Sequence, residues 1–99
     1  MAKANQLKKA FATLEYKDGN VKVVTTLANH GIKKNGVEYD SKNGVIHVHL
    51  ETKPAAHPTV VATSGVTPVM GNDFDHIKLI VPKTTFVETE QIGFVAEYY

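Results

Sequence analysis

The residues with the most chemical potential are His47, His49 and Glu51, in the stretch Val45-Ile-His-Val-His-Leu-Glu51. On a strand, side chains alternate between faces, so these three share one face while Ile46, Val48 and Leu50 share the other. Two imidazoles at this offset stand about 7 Å apart along the strand, close enough to hold one metal ion. A carboxylate one step on could complete a facial set of two His and one acid around iron, zinc, manganese or nickel. His30, His57 and His76 are further possible ligands from other segments, so the candidate metal set is His47, His49, Glu51, His57 and His76. The alternative reading is a half-buried strand whose solvent face carries polar side chains.

The order Gly44, His47-x-His49, Glu51 resembles the first motif of cupins, with both gaps shorter than in that family. Pro68-Val-Met-Gly71 followed by His76 corresponds to the second motif, again at a different spacing. The resemblance covers about a third of the chain, and neither motif matches in full. It implies a small metal-binding β-barrel protein or enzyme using His47 and His49.

Other catalytic constellations are incomplete, and whether the chain is an enzyme stays open. His57-Pro58-Thr59 is a single His-x-Thr element where two-histidine phosphoesterases carry two. Ser64-Gly65 lacks the Gly-x-Ser-x-Gly elbow, and Gly65 and Gly71 stand alone without a phosphate-binding loop. Asp73 and Asp75 could pair as acid and base, but residues of this type at a loop–strand junction usually build turns.

Composition narrows the field. The 99 residues include 11 Lys, no Arg, no Cys and five His, for a formal charge of +1. Without Cys there are no disulfides, thiolate sites or cysteine nucleophiles. Without Arg there is no planar fork for guanine edges or phosphates. The Lys residues are interspersed with ten acids rather than gathered in a stripe, so nucleic-acid recognition is not expected. No apolar run reaches the roughly 20 residues that cross a bilayer. The start, Met1 to Lys9, has no apolar stretch behind its charges, so a single cytoplasmic domain spanning 1–99 is expected, with no membrane partner.

The elements that must position these residues are mainly strands. Leu7, Ala10, Phe11 and Leu14 recur at helical spacing and predict a short helix over 3–14, with Asn5 as its cap. Asp18-Gly19, Asn35-Gly36 and Asn43-Gly44 each fit a tight hairpin turn, and together they predict an antiparallel meander. Thr59–Ser64 and His76–Val81 read as further strands, and Thr84–Tyr99 as one long strand or two, kinked near Gln91-Ile92-Gly93, while 65–73 reads as a turn-rich loop. The expected fold is seven or eight short strands in a sandwich or small barrel with one N-terminal helix; a helix packed on an antiparallel sheet is the alternative.

Association is the leading functional expectation, through a homo-oligomer or another protein partner. Ile92, Phe94, Ala96 and Tyr98 form one face of the last strand, with Val95 and Tyr99 opposite. Phe94, Tyr98 and Tyr99 are the candidate partner-binding residues, because a chain end carrying two large aromatics needs something to pack on. A ligand carrier using a barrel mouth is a third class, not separable from the metal-binding one by sequence.

Overall fold

The computed structural model describes residues 7–70, 76–81 and 87–99. Among these residues eight strands run in chain order: β1 (Lys8–Lys17), β2 (Asn20–Val23), β3 (Ile32–Asp40), β4 (Val45–Leu50), β5 (Thr59–Ala62), β6 (Thr67–Met70), β7 (His76–Ile80) and β8 (Gln91–Tyr98). They form two four-stranded antiparallel sheets, ordered β2-β1-β8-β5 and β3-β4-β7-β6. The chain does not follow a simple meander. It crosses between sheets after β2, β4, β5 and β7, so β8 inserts between β1 and β5 while β7 inserts between β4 and β6.

Period-two alternation explains the core. Ala10, Ala12 and Leu14 of β1 and Ile92, Phe94, Ala96 and Tyr98 of β8 point inward from the first sheet. Ile46, Val48 and Leu50 of β4 and Ile77 and Leu79 of β7 point inward from the second. All belong to one buried cluster, the arrangement in which two sheets cover each other's apolar faces. Ala10 pairs with Ala96 in register, so the centre of the first sheet presents small side chains.

No helix occurs among the described residues. The helix expected over 3–14 is corrected from Lys8 onward, where the chain is β1; residues 3–6 lie outside the described set. Ala10, Ala12 and Leu14 also fit a two-residue period, and pairing with β8 from Lys8 to Glu15 satisfies the backbone in that form. A short amphipathic segment has too little intrinsic helical stability to resist such a ladder.

Two of the three expected hairpins form. Asp18 (φ 53°) and Gly19 (φ 80°) both adopt positive φ, as a two-residue type I′ turn requires. The β3–β4 hairpin forms, but not through the expected two-residue turn at Asn43-Gly44: four residues, Ser41 to Gly44, connect the strands, with the Asp40 carboxylate accepting from the Lys42 and Asn43 amides at 3.1 and 3.2 Å. The Asn35-Gly36 pair is not a turn; it lies inside β3, where register shifts between Ile32 and Val37. Asn35 has φ 57°, and Gly36 is buried so tightly that a Cβ would fall 2.6 Å from the Lys33 carbonyl. The pair that suits a hairpin equally suits a bulge. Within the expected 65–73 loop, Thr67–Met70 is a strand, and Pro68 is tolerated because β6 is at a sheet edge.

Candidate functional site

The outward face of the second sheet follows from its inward one. Because Ile46, Val48 and Leu50 are buried, His47 and His49 must face away from the core. Because Ile77 and Leu79 are buried, His76 and Lys78 do the same from β7. The register then sets His49 opposite His76 and His47 opposite Lys78, with Glu38 of β3 opposite His47 on its other side.

Three imidazoles therefore gather on one half-exposed surface. The His76 ring centre lies 4.9 Å from that of His49, stacked at 25°, and 5.5 Å from that of His47, tilted at 40°. Among the described residues, Glu38 and Asp40 of β3 and Lys78 of β7 are charged groups on the strands flanking them. Hydrogen bonds from the side chain and backbone of Asn43, and from the Lys42 amide, hold the Asp40 carboxyl below the usual carboxylate range, with a small contribution from nearby His47. Burial raises the neighbouring Tyr39 hydroxyl, and Tyr16 and Asp40 add to that shift. Tyr39 meets Tyr16 edge to face across the two sheets at 6.1 Å.

The ring contacts join His76 to His47 and His49. Glu51 follows the end of β4 and is exposed, its amide donating to the Gly31 carbonyl. His57 lies in the exposed part of the loop toward β5, with Nδ1 3.0 Å from the Pro58 carbonyl. Asp73 and Asp75 lie outside the described residues. Among the described residues, no three His, Asp or Glu side chains are placed to hold a metal ion.

A second surface lies on the outward face of the first sheet. Phe11 of β1, Val95 of β8 and Val61 of β5 occupy one register row. His30 stacks on Phe11 at 6.0 Å while exchanging two backbone hydrogen bonds with it. Val61 is 67% exposed and Val95 is 44% exposed, so two large apolar side chains of this row are displayed to solvent. Of the residues expected at a partner surface, Phe94 and Tyr98 sit in the core, and Tyr99 is exposed. The Tyr98 hydroxyl is 3.1 Å from Thr52 Oγ1, and the Tyr99 carbonyl accepts from the Ala55 amide. Val95 was legible as the face opposite Phe94. Val61 and Phe11 were not, because their neighbours across the sheet are decided by strand order.

An open cleft of about 510 Å³ separates β2 from the bulged start of β3, with Lys22, Lys33, Lys34 and Asn35 on its walls. Among the described residues, no helix is long and apolar enough to cross a membrane. Comparison with protein-family models, curated proteins and solved structures found no match.

Proposed function

We propose that the chain is a non-enzymatic β-rich assembly module of the sandwich type that works by self-association, the β5 edge meeting that of a second copy. The observation carrying this reading is the contrast, among the described residues, between β5 and the other three sheet edges. Edge strands are commonly guarded against pairing by charge, Pro or a bulge. β2 carries Lys22, β6 carries Pro68, and β3 carries Lys33, Lys34, Glu38, Asp40 and a bulge. β5, Thr59-Val-Val-Ala62, has none of these and ends the apolar row Phe11–Val95–Val61.

A second copy fits this edge better than an unrelated strand. Antiparallel pairing of two β5 strands is self-complementary about a two-fold axis, and no charged side chain of β5 would meet its like across the seam. Pairing would also continue the apolar row of one copy toward that of the other. The strand is short, so association in the micromolar range is expected rather than an obligate dimer.

Sedimentation velocity over a concentration series tests this reading. Expected is a monomer–dimer equilibrium that Val61→Lys shifts to monomer at least about tenfold, with an unchanged circular dichroism spectrum. A concentration-independent monomer, or a dimer indifferent to Val61→Lys and to Val95→Lys, overturns it.

A further inference from the structure

We propose that His47, His49 and His76 form a binding site for one divalent transition-metal ion on the outward face of the second sheet. The site is separate from the β5 edge and does not depend on the assembly reading. His47-x-His49 alone offers two ligands about 7 Å apart along the strand, and tertiary structure adds the third. His76 stands opposite His49 in register and diagonal to His47, so its ring lies near both.

The two ring spacings that involve His76 match what coordination needs. A zinc–imidazole bond is about 2.0–2.1 Å, which places a metal roughly 3 Å from each ring centre. At a tetrahedral angle, two coordinated rings then have centres about 5 Å apart. The observed separations from His76, 4.9 and 5.5 Å, bracket that value. What is lacking is convergence of the nitrogens, since the His49 and His76 rings stack instead of pointing at one centre. Ring rotation about the broad terminal torsion of each half-buried imidazole has to supply it, including at His76, which makes a further interaction of its own.

The surrounding charges are compatible with a cation. Among the described residues of the flanking strands, β3 brings Glu38 and Asp40 and β7 brings Lys78, and Glu38 flanks His47 directly in register. Three neutral nitrogens with an open fourth position suit zinc, nickel or cobalt(II) better than calcium or magnesium, which prefer oxygen donors. Lys78, opposite His47 in register, also sets an expectation: Lys78→Ala strengthens binding by removing a positive charge.

The test is titration of the untagged full-length chain with cobalt(II), followed by its d–d absorption, and with zinc, followed by calorimetry and thermal unfolding. Expected are 1:1 binding, a rise in Tm with zinc concentration by mass action, and at least about tenfold weaker binding in each of His47→Ala, His49→Ala and His76→Ala. His57→Ala retains wild-type binding. Since the three side chains face outward, the metal-free Tm of each variant monitors folding independently. Absence of binding to the folded wild-type chain at millimolar metal overturns the proposal. So does binding that survives in the triple variant, or that depends on His57 rather than His76.

Discussion

The imidazoles of His49 and His76 stack across the β4–β7 ladder, their centres 4.9 Å apart. Both residues occupy outward positions of neighbouring strands, and their stacking is the direct consequence of register. A slip of one residue in either strand would turn one ring toward the core and expose an apolar neighbour. NMR should therefore show nuclear Overhauser contacts between the two rings and ring-current shifts at His49 that disappear in His76→Ala. If the His49 resonances are indifferent to that substitution, the register is wrong.

Gly31 joins the two sheets. It has φ 77°, and a Cβ there would fall 2.7 Å from the Lys9 carbonyl and 3.0 Å from Ala10 Cβ. Its own carbonyl accepts from Glu51, while the preceding His30 pairs with Phe11. Gly31→Ala combines positive-φ strain with a backbone collision, and a loss of about 2–4 kcal/mol in urea unfolding is expected. Gly19→Ala, also at positive φ but with open space around its Cβ, should cost about 1–2 kcal/mol.

Tyr98 separates packing from hydrogen bonding. Its ring is in the core, and its hydroxyl lies 3.1 Å from Thr52 Oγ1. Tyr98→Phe keeps the packing and should cost about 0.5–1.5 kcal/mol; Tyr98→Ala should cost about 3–5 kcal/mol. Equilibrium denaturation measures both. Equal costs would mean that the ring is not packed as described.

Thr63 closes the end of the β5–β8 ladder. Its hydroxyl accepts from the Gly93 amide at 2.7 Å and donates to the Gly93 carbonyl at 3.2 Å. Thr63→Val preserves shape and removes both bonds. The site is exposed, so water replaces part of the loss and about 0.5–1 kcal/mol is expected. Faster hydrogen exchange at the Gly93 amide is the more direct readout.

Asp40 links the β3–β4 turn to acid. Its carboxyl is held below the usual range in the folded state, chiefly by Asn43, so the folded chain binds that proton less readily than the unfolded chain. The stabilisation is present above the ordinary carboxylate pKa, about 3.9, and is lost as pH falls through the depressed folded value. Thermal unfolding from pH 7 to pH 2.5 should show a decline at the acid end that is shallower in Asp40→Asn. An identical acid limb in both proteins would show that the turn is not held by this carboxylate.

Local pattern by itself determined which residues of β4, β7 and β8 face inward. Ile46, Val48, Ile77, Leu79, Ile92 and Phe94 alternate with polar or small residues, and burial of one face follows from solvation alone. It also determined the Asp18-Gly19 hairpin, whose positive φ values depend on two residues. It named His47, His49 and His76 as candidates without being able to say that they meet. Local pattern misread β1, Asn35-Gly36 and β6, because in each the deciding interaction comes from a distant strand. β8 draws 8–14 out of a helix, pairing with β4 makes Asn35-Gly36 a bulge, and β7 accepts Pro68 at its edge. Tertiary structure alone decided that His76 lies beside His47 and His49, and that Val61 lies beside Val95. Such neighbours depend on strand order, which is set by how two sheets bury a shared core and not by spacing along the chain.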